Sequence, residues 1–275
     1  MPVRIVQSKQ NSRLKQLRRA LAYPARESKS GRRLLAGIEG PNLLGEALRA
    51  GLRVDCVFAA QGSEHLLDGL GLAPETEVLL MQRDLLTSAL DTETPQPIAA
   101  LVEPFDWGWR HLLPGGADGE NKAVALVVVL AGLQDPGNLG TILRSAEAFG
   151  ATGVVALPGT VSVWNPKSVR ASAGSVFRVP MLSATPRECF TRLRQAGVTI
   201  LTTALRGADP VDGVPLAGPA AFIIGNEGNG VPQDLVSLCD GAITIPCPGP
   251  VESLNAAVAA SVLLYEASRQ RRSRR

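Results

Sequence analysis

The sequence predicts an α/β protein of two units, the second built on a mostly parallel sheet. Strand-like apolar runs alternate with helical patterns along most of the chain, the signature of a sheet covered by helices. The run AVALVVVLAGL (123–133) is continuously apolar, as a strand buried on both faces must be. Between the two units the stretch EPFDWGWRHLLPGGADGENK (103–122) breaks all periodicity and collects Pro, Gly and charge, which marks a connection. The expected division is residues 1–104, a linker at 105–121, and residues 122–275.

In the first unit, SKQNSRLKQLRRAL predicts a basic helix from Ser8 to Leu21 with Leu14, Leu17 and Leu21 on its buried side. RLLAGIEG (33–40), LRVDCVFAA (52–60), ETEVLLM (75–81) and residues 97–102 read as strands. Helical segments fall near Pro41–Ala50, Ser63–Leu70 and Arg83–Leu90.

The second unit opens with the apolar strand. A helix follows the turn at Gln134–Gly137, with Asn138 as the expected cap, Leu139, Ile142, Leu143 and Ala146 facing inward, and Gly150 at its end. GVVAL (153–157) is a strand. NPKSVRASAG (165–174) has Asn at a cap, Pro at the first helical position and Gly at the end. VFRVPML, a helix after Pro186, VTILTTA (198–204) and AAFIIG (220–225) continue the alternation. Ser253 is the expected cap of a last helix, along which Leu254, Ala257, Val258, Ser261, Val262 and Tyr265 recur at helical spacing with small residues between them. Something must pack closely against it.

At 275 residues and 45% hydrophobic content, the chain can bury a substantial core. No apolar run approaches the roughly 20 residues that span a bilayer. The segment PVRIVQSKQNSRLKQLRR has no signal-peptide apolar core, so the expected compartment is the cytoplasm. Cys56, Cys189, Cys239 and Cys247 are scattered and the histidines are His65 and His111, so the expectation is free thiols and no metal.

The net charge of +3 hides an asymmetry: residues 1–33 carry ten Lys/Arg against one acid, Glu27, and residues 269–275 carry five Arg. Basic segments of this density suit a polyanion partner, because neutralised phosphates release counterions. A solubilising terminus is the plainer reading of RQRRSRR. Trp107 and Trp109 could stack on bases, or could anchor the linker to a domain surface.

Gly- or Pro-rich loops follow the strand-like runs Ala221–Ile224 and Ala242–Ile245, and glycine lets backbone approach a ligand. Ligands of parallel sheets sit beyond the carboxyl ends of the strands. Asn138, Arg144, Glu227, Ser253 and Asn255 would gather there. Taken singly, each also has a structural reading: Asn138 and Ser253 as caps, Arg144 as a partner of Glu147, Asn255 as a first-turn residue. GNEGNG fits neither the dinucleotide fingerprint nor a P-loop, so spacing alone leaves the ligand undefined.

Three segments resemble, in order and spacing, the SpoU (TrmH-type) family of RNA ribose 2'-O-methyltransferases of the SPOUT superfamily: LQDPGNLGTILRSAEAFGATGVV (133–155), FIIGNEGNGVPQDL (222–235) and ITIPCPGPVESLNAAVAASVLLYE (243–266). The resemblance implies a parallel-sheet α/β domain with a deep trefoil knot, preceded by a small α/β RNA-binding domain. It implies S-adenosylmethionine as cofactor, held by Gly225, Gly230, Ile245 and Leu254, and a homodimer whose active site draws on both chains. Asn138, Arg144, Glu227, Ser253 and Asn255 match the family's catalytic positions, with Arg144 as general base assisted by an RNA phosphate or, equally, as stabiliser of the developing alkoxide, Asn138 and Glu227 orienting Arg144 and the ribose, and Ser253 and Asn255 shaping the pocket. Ribosomal RNA is the first expected substrate and transfer RNA the second. A non-catalytic RNA-binding protein on the same fold is the alternative. Cys247 departs from the larger apolar residue common at its position.

Overall fold

The structure, a computed structural model, describes residues 2–22, 35–113, 123–204, 207–250 and 253–273. In chain order it begins with β1 (Val3–Val6), α1 (Ser12–Ala22), β2 (Ala36–Glu39), α2 (Pro41–Arg49), β3 (Arg53–Ala60), β4 (Glu77–Met81), α3 (Arg83–Thr87) and β5 (Ile98–Glu103). It continues with α4 (Trp109–Leu112), β6 (Leu126–Ala131), α5 (Pro136–Ala148), β7 (Gly153–Ala156), α6 (Pro166–Ala171), β8 (Met181–Ser183), α7 (Pro186–Gln195) and β9 (Thr199–Thr203). The last elements are β10 (Asp209–Pro210), β11 (Ala220–Gly225), α8 (Gln233–Val236), β12 (Gly241–Thr244) and α9 (Ala256–Arg272).

The chain forms two units, one of Met1–Asp106 with Ser162–Phe177, the other of Trp107–Val161 with Arg178–Arg275. The single boundary expected from sequence therefore needs two corrections. Residues 162–177 group with the first unit: α6 packs on β2, and Gly174, at φ +91°, lies where a Cβ would stand 2.7 Å from Glu46 Cβ. The second unit begins earlier than expected, at Trp107, because Trp109 Nε1 donates to Glu188 at 2.8 Å and Leu112 is buried where a Cβ on Gly153 would collide with it. Trp109 thus anchors the connection, while Trp107 packs edge-on against His111 within it, and the GGADGEN stretch lies outside the described residues.

The first unit carries a five-stranded sheet in the order β1-β4-β3-β5-β2, with β5 antiparallel to both neighbours. Helix α1 starts at Ser12 rather than Ser8, because the Asn11 side chain accepts from the Arg13 and Leu14 amides and fixes the first turn. It buries Leu14, Leu17 and Leu21 as its spacing requires. In place of the helix expected at Ser63–Leu70 there is one 3-10 turn, Glu64–Leu67, followed by Gly69 at φ +73°.

The second unit is a seven-stranded sheet in the order β10-β12-β9-β11-β6-β7-β8, and every pairing in it is parallel. All six residues of β6 are buried, and so are those of β11. From β6 the chain steps outward to β7 and β8, then returns to build β9, β11 and β12 on the other side. The loops after β6 and β11 therefore meet where the direction of winding reverses, the usual crevice of an open parallel sheet.

Helix α9 packs along α5 through small residues, and Ser261 Oγ lies 2.6 Å from Ser145 Oγ. Its buried residues include Ala257, Ala260, Leu263, Leu264 and Ala267. Val258 and Tyr265, which share helical spacing with Ala257, are each 48% exposed. The buried face combines an alanine stripe with Leu263 and Leu264, and Val258 and Tyr265 are left facing outward.

The far end of α9 changes the reading of the basic tail. Arg271 donates to the carbonyl oxygens of Leu216, Val124, Ala125 and Gly218, at 2.6–3.2 Å. Burial lowers its pKa below the ordinary arginine value. Arg269 pairs with Glu266 at 2.7 Å. Two of the five arginines are thus committed to the fold, and Arg274 and Arg275 lie outside the described residues.

Candidate active site

Because the sheet is parallel, the loops after β9, β11, β12 and β6 leave from one edge. Three of them are stitched together by side chains far apart in sequence. Glu227, in the loop after β11, accepts from the Gln134 amide at 3.2 Å, the Asp135 amide at 3.0 Å and Asn138 Nδ2 at 3.0 Å. Asn138 Oδ1 accepts from Asn255 Nδ2 at 3.0 Å. Asn255 Oδ1 accepts from the Ala257 and Val258 amides and so caps α9.

Each link fixes the next. Asn255 Oδ1 is taken by helix amides, so its Nδ2 must point toward Asn138; Asn138 Oδ1 is then occupied, so its Nδ2 must donate to Glu227. Donation runs one way along the chain, from the amides of the first turn of α9 to the carboxylate. Asn226 adds a parallel tie, donating to the Gly132 carbonyl at 2.9 Å while accepting from the Gly228 amide.

Burial alone would raise the Glu227 pKa above its ordinary 4.5. The bonds from Asn138 and from the backbone amides of Glu227, Asp135 and Gln134 outweigh it, and the net shift is downward. A depressed folded-state pKa means the charged form stabilises the fold at neutral pH, and that this contribution is lost as pH falls through the folded value. Glu227→Gln should therefore lower stability by about 1 kcal/mol at pH 7, toward the low end for a charged acceptor because the loop is exposed. The deficit should shrink toward zero below pH 4. Denaturant melts of both proteins at pH 7 and pH 3.5 test this, and a deficit unchanged by pH would remove the charge from the account.

A cavity of about 910 Å³ opens beside this network, bounded by the ends of β9, β11 and β12 and by the first turns of α9. Its wall includes Gly225, Gly230, Ile245 and Leu254, the four positions expected to hold a cofactor, together with Glu227, Ser253 and Asn255. Gly225 has no room for any side chain, since a Cβ there would collide with Gly230 C, Val231 N and Gly230 O. The loop is folded back on itself by paired bonds between the Asn226 and Gly230 backbones, with Gly230 at φ +66°. At Gly225 the wall is bare backbone, and around it apolar side chains such as Ile224, Ile245 and Leu254 alternate with polar ones, a lining suited to a ligand of cofactor size.

Three expectations are corrected. Asn138 does not cap α5; Asp135 does, accepting from the Asn138 amide at 2.8 Å with Pro136 at the first helical position. Ser253 does not cap α9, since Asn255 takes that role. Glu227 and Asn138 bond to each other and not to Arg144, which is exposed and without a partner among the described residues. Nor is Arg144 the partner of Glu147, whose carboxylate pairs with Arg178. Arg144 is absent from the described lining of the cavity of its own chain. The tie through Asn226 was missed by sequence reasoning, although its place directly after Gly225 at a strand end could have flagged it.

A parallel sheet whose glycine-rich loops enclose a cavity of this size at the switch in winding defines a cofactor-binding α/β domain. The model of the SpoU rRNA Methylase family matches residues 125–265, and the chain belongs to that family. It is 34% identical over 229 residues to the 23S rRNA (guanosine(2553)-2'-O)-methyltransferase RlmP of Bacillus subtilis (strain 168), covering 83% of this chain and 86% of that protein. The crystal structure of the SpoU methyltransferase AviRb from Streptomyces viridochromogenes, in complex with the cofactor AdoMet, superposes with a TM-score of 0.81 at 29% identity, covering 96% of this chain and 99% of that one. The AdoMet-bound rRNA methyltransferase from Sinorhizobium meliloti gives 0.81 at 27% identity, covering 97% and 98%.

Proposed function

We propose that the protein is an S-adenosylmethionine-dependent methyltransferase acting on a ribose 2'-hydroxyl in structured RNA, with ribosomal RNA the first substrate and transfer RNA the second. The observation that carries this reading is the Glu227–Asn138–Asn255 chain, which ties the three family segments together beside one cavity lined by the second and third. The cavity fits the cofactor in size, and its side-chain-free wall at Gly225 fits a ligand recognised through backbone groups.

When bound, the cofactor supplies an electrophilic methyl group on a sulfonium. The protein's part is to present the 2'-hydroxyl in line with that methyl and to stabilise the negative charge that grows on the oxygen as its proton passes to solvent water. Gly225, Gly230, Ile245 and Leu254 hold the cofactor; Glu227, Asn138 and Asn255 set the loops; Ser253 shapes the mouth. Arg144 stabilises the reacting oxygen and grips an adjacent phosphate.

In this reading the C-terminal segment threads a loop to form a trefoil knot, and the enzyme is a cytoplasmic homodimer. Exposed Val258 and Tyr265 on α9, the latter edge-on to Phe149 at the end of α5, support pairing through this apolar surface. The basic N-terminal unit captures the RNA.

The test is transfer of labelled methyl from S-adenosylmethionine to total bacterial RNA, fractionated by size. Label on the 2'-oxygen in large ribosomal RNA is expected. Cofactor binding with no label in any RNA would replace this reading with that of a non-catalytic RNA-binding protein.

A further inference from the structure

We propose that the outward crest of α1 is the phosphate-gripping surface of the first unit and that a folded RNA lies along it; this rests on the RNA-methylating reading above. Residues 2–22 contain six Lys/Arg and no acid. At 100° per residue, the buried Leu14, Leu17 and Leu21 define the inner face of the helix, and Lys15 and Arg19 fall opposite them. Arg13 and Arg18 fall on the flanks.

The flank cations are tied to the body. Arg13 donates to Asp55 at 2.8 Å and to Glu77 at 3.1 Å, and Arg18 donates to the Ser88 carbonyl at 3.2 Å. The crest cations are not: Lys15 and Arg19, with Lys9 in the turn before the helix, are exposed and have no hydrogen-bond or ion-pair partner among the described residues. Like charges at i,i+4 cost a few tenths of a kcal/mol, and cations near a first turn oppose the helix dipole. A chain whose remainder has more acids than bases spends that stability here without neutralising it.

The crest is also rigidly mounted. A Cβ on Gly37 of β2 would stand 2.8 Å from Leu21 Cγ, so α1 rests directly on the strand backbone. Cations one turn apart on a fixed helix present a repeating charge that a phosphate backbone can follow, and counterion release makes their contribution salt-dependent.

The experiment compares two full-length variants matched in charge: Lys9→Gln/Lys15→Gln/Arg19→Gln on the crest, and Arg187→Gln/Arg192→Gln/Arg272→Gln at exposed positions of the second unit. Glutamine keeps helix propensity, and melting curves confirm folding. Binding to purified 23S rRNA is measured from 50 to 300 mM salt, with methyl-transfer kinetics and S-adenosylmethionine affinity alongside.

The crest variant should raise KM for RNA about tenfold and reduce the slope of log K against log salt by about 2–3, leaving cofactor affinity and kcat unchanged. The second variant should change the slope by less than one. Equal effects from both variants, or no effect from the first while wild type methylates RNA, would overturn the proposal. If wild type neither binds nor methylates RNA, the underlying reading fails instead.

Discussion

Gly225→Ala should destroy cofactor binding while leaving a folded, destabilised protein. The glycine ends β11 with its Cα pressed against the returning strand of its own loop. An added methyl would collide with backbone atoms of Gly230 and Val231 rather than with the end of a movable side chain. The 226–230 segment would have to shift, and with it the bonds that Asn226 and Glu227 make to the loop after β6. Overpacking of this kind costs about 1–3 kcal/mol. The expected result is a loss of at least tenfold in S-adenosylmethionine affinity by calorimetry, together with a lowered midpoint in denaturant. Gly249→Ala provides the comparison, because among the described residues no atom beyond its chain neighbours lies within 4 Å of the position its Cβ would take. Its stability should stay within about 0.5 kcal/mol of wild type. Undiminished cofactor affinity in Gly225→Ala would detach this loop from the binding site.

The parts of the fold that were legible in the sequence are those governed by local pattern. The uninterrupted apolar run of β6 announces burial on both faces, and the Asn-Pro pair at 165–166 announces the start of α6, because both signals lie within a few residues. β1 gave no such signal: it is a four-residue edge strand with Val3 and Ile5 largely exposed, and its pairing to β4 joins residues some 75 positions apart. The caps were harder for a different reason. Ser253 and Asn255 are both good capping residues two positions apart, as are Asp135 and Asn138 flanking Pro136, and propensity alone does not choose between them. Pro136 was the decisive clue for the Asp135/Asn138 pair, since proline favours the first helical position.

In the candidate site, the residue types and the shared sheet edge were legible, but the bonding among them was not. Glu227 and Asn138 are 89 positions apart, and Asn138 and Asn255 are 117 apart. No spacing rule predicts that these three satisfy one another and leave the arginine alone. Charge likewise shows nothing of burial, and so Arg271, which reads as tail, is in fact a clamp on four carbonyls.

Arg144→Ala should slow methyl transfer about 10²–10³-fold at saturating RNA and cofactor, the usual effect of removing one donor aimed at a developing oxyanion. Cofactor affinity should be unchanged, since Arg144 is outside the described lining of its own chain's cavity. A guanidinium keeps its proton in proteins, so its service is charge stabilisation rather than proton removal. Arg144→Lys should recover part of the loss. The exposed, unpartnered position of Arg144 also fits a site completed by a second copy of the chain. If so, mixing Arg144→Ala with Gly225→Ala chains should restore about a quarter of wild-type activity, because half of randomly paired dimers are mixed and each holds one intact site of two. No recovery on mixing, with exchange of subunits verified, would place Arg144 in service of the cavity on its own chain.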